Sequence, residues 1–414
     1  MIYNKDLLDL FKGDKDLLSF EKGDNLTSDS LESTCLYLVS YLKDVKKNIA
    51  IVMPSLYDAN SLIDLLSQFI SPDDVLFYPY DEVLRIEAIS SSKEMAKERL
   101  FTISQIINSH RPHIFITNAV ALIHSLSSYE RMKGSFILVK KGDVYSPEEL
   151  SGKLLELGYA KVNKVEEVFQ FSLRGEIFDV FTPSNKDPYR IEYFDDEIED
   201  IRLFSSKDEL SFEKADNLLI IPAHENILSD GEIKIGLADI QSEMDKKNDK
   251  ELLLNEELSE RTNRFSMSVL AGGIDENQVR YLPYFTSEKI SILSYLSEFR
   301  VLFYRSEDIE SVADSYYMEA VSYFEELRNA HLALDKEINC FKLEEVISQA
   351  DYEYIISDKS SLSVTDIPYH FISVMDAKKM LTGFSDDGYR IRVFLDDNKN
   401  ARYQEAIQKI GFNT

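Results

Sequence analysis

Residues 174–204 read RGEIFDVFTPSNKDPYRIEYFDDEIEDIRLF. The second half of this stretch holds two strand-like runs, 189–194 and 198–204, joined by a turn that carries Asp195 and Asp196. Successive side chains of a strand point to opposite faces. Tyr189, Ile191 and Tyr193 therefore share one face with Ile201 and Leu203. Arg190, Glu192 and Phe194 share the other with Arg202 and Phe204. The first face is apolar enough to be core. The second mixes arginine with phenylalanine, the composition of a protein-binding hot spot. A plainer alternative stays open: Phe194 and Phe204 fold over a sheet edge, and the arginines pair with the acidic turn, since exposed apolar residues are common on globular proteins.

Outward from this stretch the pattern changes period. Upstream, Ser30–Lys43 carries Leu31, Cys35, Leu38, Val39 and Leu42 at helical spacing, and Ile49–Met53 is an unbroken apolar run suited to a strand buried on both faces. Helices are expected over Asp58–Phe69 and Ser91–Ile107, the latter with Ser91 and Glu94 as a capping box, and strands over Val75–Phe77 and His113–Thr117. Strands alternating with helices indicate an α/β domain with a mainly parallel sheet. Phe136–Lys140 reads as a strand and Pro147–Leu157 as a helix ending at Gly158. Downstream, Leu219–Ala223 and His224-Glu225 read as a return to the first sheet. One long, charged, solvated helix is expected over Gly231–Arg264, with a turn at Gly272-Gly273. A strand near Arg300–Tyr304, a helix over Glu307–Leu332 and a short helix over Phe341–Ala350 come next. Strands at Tyr352–Ser357 and Tyr389–Leu395 and a helix over Ala401–Ile410 read as a following small α/β domain.

Composition narrows the function. The 414 residues carry 74 acidic and 46 basic side chains, a net charge of −28. Affinity for DNA comes largely from phosphate contacts, and no local basic patch is obvious: Lys46-Lys47 and Lys140-Lys141 are short. The chain reads as a protein-docking module. Two cysteines far apart, Cys35 and Cys340, fit a reducing cytosol. No run approaches the ~18 apolar residues of a membrane span, and the N-terminal residues lack the layout of a signal peptide. His110 and His113 lack ligand spacing around a shared metal, and His224-Glu225 has Leu228 where a zinc helix needs a second histidine. The one Gly-Lys pair, Gly152-Lys153, is followed by Leu154, with Pro147 where a phosphate loop needs its first glycine. Pro54-Ser55-Leu56-Tyr57 follows the first strand. No ordinary ATP site is expected there, and Asp81-Glu82 is not expected to hold a metal. Asp179, Glu176 and Glu192 are the carboxylates a stand-alone enzyme could use for acid–base work, but no His, Cys or Ser arrangement supports them.

Arg174–Phe181, Pro188-Tyr189-Arg190, Tyr193–Ile198 and Arg202-Leu203-Phe204 together resemble the UvrB-homology module, found in UvrB and in the N-terminal part of bacterial transcription-repair coupling factors. One departure is visible: Thr182 stands between Phe181 and the proline the family places directly after it. The resemblance implies a multidomain α/β chain, in which a degenerate helicase-like parallel domain (1–130 and 213–335) is split by an inserted α+β domain (131–212), with a small α/β domain over 336–414. It implies that the inserted domain docks onto UvrA through Arg174, Arg190 and Phe194. UvrB carries a phosphate loop and a long DNA-gripping hairpin. The run 77–99 is too short for that hairpin and resembles the coupling factor instead. The implied role is cytoplasmic and non-catalytic: recruiting UvrA to RNA polymerase stalled at a lesion. ATP, Mg, RNA polymerase and duplex DNA would belong to a translocase motor and other parts of a longer parent. The alternatives are a UvrB-like DNA-binding repair protein and a stand-alone α/β enzyme.

Overall fold

The structure, a computed structural model, describes residues 13–82, 93–207, 210–249, 256–272, 276–356 and 374–388. Ser91, Gly273 and the elements expected at 389–395 and 401–410 lie outside them.

Five parallel strands form the first sheet: β1 (Ile49–Met53), β2 (Val75–Tyr78), β3 (Ile114–Asn118), β12 (Arg300–Phe303) and β13 (Tyr352–Tyr354), in the order β13-β12-β1-β3-β2. β1 is buried throughout, because helices cover both faces of a parallel sheet. Ala50 and Val52 enter one core with Phe115, Phe303 and Ile309. Ile49, Ile51 and Met53 enter the opposite one with Tyr37, Leu62 and Leu66. The helix Leu56–Leu66 is started by Ser55, whose side chain accepts from the amide of Asp58, and it buries Ala59, Leu62 and Leu66 along one stripe. Tyr352–Tyr354, read from sequence as part of a following domain, is instead the edge strand of this sheet, paired with Val301–Phe303. Its partners lie some fifty residues back, and sequence pattern alone does not reveal non-local pairing.

A second sheet of six strands follows the order β10-β9-β8-β7-β6-β5: β5 (Ala160–Lys161), β6 (Gln170–Arg174), β7 (Ile177–Phe181), β8 (Tyr189–Phe194), β9 (Glu197–Phe204) and β10 (Ser211–Lys214). The run from β6 to β10 is antiparallel. Its inner face buries Phe171, Phe178, Ile191, Tyr193 and Ile201 against Leu150 and Leu154 of the helix Pro147–Glu156. β4 (Ile137–Lys140) and β11 (Asn217–Ile220) pair with each other as a two-stranded ribbon. The expected return of 219–223 to the first sheet is thereby corrected: this segment meets the strand that opened the region. Gly158 follows the helix at φ +86°, and a Cβ there would come within 2.2 Å of His224 Nε2, so only glycine permits that approach.

Past β11 the chain is tied to the first sheet by a buried polar knot. The carboxylate of Glu225 accepts from Arg99 Nε at 2.9 Å and from the hydroxyl of Tyr78. The Arg99 guanidinium lies 4.1 Å from the centre of the Tyr80 ring, which His124 stacks upon at 4.1 Å. The single helix expected over 231–264 is two, Asp230–Asp249 and Glu256–Gly272. Nor are they merely solvated. Ile240, Met244, Leu258 and Phe265 close a core with Tyr281, which stacks on Phe265 at 4.1 Å. The widely spaced apolar residues among many charges hid that stripe.

Candidate docking face

The outer face of the second sheet is assembled by register. Arg174 faces Ile177 across the β6–β7 hairpin, and Ile177 in turn faces Glu192, which faces Asp200. One row back, Ser172, Asp179, Arg190, Arg202 and Lys214 stand side by side on five neighbouring strands. The alternation carries a slip: Glu192 pairs with Asp200 but Tyr193 pairs with Ile198, so Glu199 is the extra residue of a bulge. Ile198 and Ile201, three apart, both reach the core only because of it. That odd spacing was the signal in the sequence, and the strict two-residue reading passed over it.

Asp179 is the first hub of this face. Its side chain is 2% exposed. It accepts from Arg190 Nε at 2.7 Å and Nη2 at 2.9 Å, and from Arg174 Nη2 at 2.8 Å. A carboxylate held by two guanidinium groups is an ion-pair hub and is not poised for acid–base work. Arg190 is 14% exposed, and its guanidinium lies 4.6 Å from the centre of the Phe204 ring. Arg174 is 45% exposed. Phe204, expected on the outward face, lies on that side but is buried in a small cluster with Val165 and Phe181. Phe194 differs, standing 66% exposed at the turn, with Asp195 behind it at φ +51°. The hairpin tips meet where the Tyr193 amide donates to the Glu176 carbonyl at 2.9 Å. Thus Arg174 and Phe194 lie at one end of the sheet, flanking the part-exposed Ile177. Arg190 sits deeper, holding Asp179.

Asp200 is the second hub. It accepts from Arg202 Nε at 2.7 Å, and Lys141 Nζ and Lys214 Nζ lie at 3.4 and 3.8 Å. The Arg202 hydrogen bond, joined by Lys141, holds its carboxyl below the usual carboxylate range. Arg202 also reaches Glu192 at 4.0 Å. The arginines of the face therefore pair with Asp179, Asp200 and Glu192. Pairing with the acidic turn, the plainer expectation, is not what these contacts record.

At the other candidate position, the carboxyl ends of the first sheet, charge is turned inward. The Leu56 amide, at the start of its helix, donates to Glu82 Oε1, as does Asn118 Nδ2 at 3.3 Å. Arg305 Nη2 bridges to Asp58 Oδ2 at 2.9 Å across the ends of β1 and β12. Gly152-Lys153 lies within a helix and not in a loop. His113 is held by Ser109 Oγ at 2.7 Å, and His224 is neutral, burial pushing it down to about 4. Among the described residues no group of three or more His, Cys, Asp or Glu side chains could hold a metal, and no helix is long and apolar enough to cross a membrane. Cys35 and Cys340 are both buried and unbridged.

Residues 137–225 match the family described as UvrB interaction domain. The chain is 31% identical over 259 residues to the transcription-repair-coupling factor of Bacillus subtilis (strain 168), covering 61% of this chain and 22% of that protein. It is 26% identical to the transcription-repair-coupling factor of Haemophilus influenzae, over 70% of this chain and 24% of that one. The protein of the same name from Escherichia coli (strain K12) is 25% identical, over 67% and 23%. The chain thus spans less than a quarter of the length of these relatives. Its central residues are thus similar to a UvrB interaction domain, and about two thirds of the chain is similar to part of these transcription-repair-coupling factors.

Proposed function

We propose that this chain is the UvrA-recruiting part of a transcription-repair coupling factor and acts by docking. The observation that carries the reading is the juxtaposition, inside the matched UvrB interaction domain, of the exposed Phe194 ring with the half-exposed Arg174 guanidinium on one sheet face. A phenyl ring free to enter a shallow pocket and an arginine able to clamp a carboxylate are the parts of a hot spot. Arg190 contributes from beneath, fixing Asp179 and through it the direction of Arg174. The chain's own contribution is non-catalytic. Support comes from the first sheet, where the helix-start amide that would meet a phosphate is taken by Glu82 and the crevice between β1 and β12 is bridged by Asp58 and Arg305. RNA polymerase, duplex DNA, ATP and Mg belong to other parts of a longer parent, working in the cytoplasm. Calorimetric titration with UvrA tests this. An Arg174→Ala, Phe194→Ala double variant is expected to bind at least ~30-fold more weakly, about 2 kcal/mol. Wild-type affinity in that variant refutes the role of these two side chains.

A further inference from the structure

We propose that the docking face extends beyond Arg174 and Phe194 to the Asp200 hub, where Lys141, Arg202 and Lys214 receive an acidic strip of the partner protein. The inference rests on the recruiting reading and deepens it. Around the hub, three cations (Lys141, Arg202, Lys214) meet two carboxylates, Asp200 and Glu192. The surplus is positive on a chain whose net charge is −28. It is also outward. Lys141 and Lys214 are 52% and 73% exposed, while the Asp200 that gathers them is 9% exposed.

Two features set this apart from a solvated scatter of charge. Arg190 and Arg202 are directly cross-strand, and like charges so placed repel. Each is held by its own carboxylate, Asp179 and Asp200, with Nε–O distances of 2.7 Å. The guanidinium groups are therefore fixed before any partner arrives, which spares a partner the cost of ordering them. In addition, Arg190, Arg202 and Lys214 run across three adjacent strands, β8 to β10. At roughly 4.8 Å between strands, they make a rigid cationic row about 10 Å long, continuous with the Arg174 end through Asp179. A hub of three cations around two carboxylates suits a short run of Asp or Glu. It falls well below the 6–10 phosphate contacts of a typical DNA-binding face.

The experiment titrates UvrA into wild type, Lys214→Gln, and the Arg202→Gln, Lys214→Gln double variant, at low and at raised salt, with thermal melting as a fold control. The expected result is roughly three- to tenfold weaker binding by the double variant at low salt, a smaller loss for Lys214→Gln, and a flatter salt dependence. Lys214 lies on an edge strand and its substitution is expected to leave melting unchanged. Wild type that binds while both variants bind equally well, with the same salt dependence, overturns the extension alone. Wild type that fails to bind UvrA overturns the recruiting reading beneath it. Duplex DNA shifted by wild type and released by the double variant reassigns the row to nucleic acid and overturns the proposal.

Discussion

The two sheets treat charge in opposite ways. At the carboxyl ends of the first, these described charges are answered from within: Glu82 by the Leu56 amide, Asp58 by Arg305, and Glu225 below them by Arg99 and Tyr78. On the outer face of the second, two nearly buried aspartates gather more cations than they can neutralise, and a phenyl ring stands in solvent beside them. The fold gives the first position its usual ligand crevice, yet the side chains close it. The second offers only a sheet surface, and its side chains leave it open. What a site can do is set by which charges remain unanswered, more than by the fold that displays them.

Acid is expected to break the closed region most. Burial holds His124 down to about 3 and His224 to about 4. Between pH 6.5 and about 4 the unfolded chain takes up protons that the folded one refuses, so stability is full above pH 6.5 and falls as pH drops. The slope approaches about 1.4 kcal/mol per pH unit for each histidine. Urea unfolding across that range checks it, and His124→Gln is expected to make the slope shallower. Next, Glu225→Ala leaves the Arg99 guanidinium buried without this carboxylate. A loss of about 3–5 kcal/mol in unfolding free energy is expected, read from the urea midpoint. Should Glu225→Ala melt like wild type, the knot is not what closes this region.

The open region answers to a different assay. The Arg174→Ala, Phe194→Ala variant is expected to lose about 2 kcal/mol of binding while its melting temperature stays near wild type. A fall in both would make these residues structural and erase the contrast. Smallest is Glu82→Ala, expected to cost about 1 kcal/mol of stability by freeing the helix-start amide, with UvrA affinity unchanged. A thermal melt and a titration on the same sample separate the two.

Much of the fold was legible because local pattern carries it. The unbroken run Ile49–Met53 is a strand buried on both faces, and the alternation of Tyr189–Phe194 sorts core from surface, since period and burial are local properties. Phe194 was legible as exposed because it shares parity with Arg190 and Glu192. Phe204 shares that parity as well, yet it is buried, because Val165 and Phe181 cover it from elements distant in sequence. The pairing of Tyr352–Tyr354 with β12 and the meeting of β11 with β4 escaped for the same reason.

Local pattern was enough for the elements, the parity of the 189–204 hairpin and the resemblance carried by its motif. Which charges meet is a matter of how distant strands pair. The sequence shows Lys141, Arg174, Arg190, Arg202 and Lys214 as isolated residues in an acidic chain. Strand register brings the last four onto one face around Asp179 and Asp200, and Lys141 reaches Asp200 from the turn after β4, because pairing partners in a sheet are set by register and not by distance along the chain.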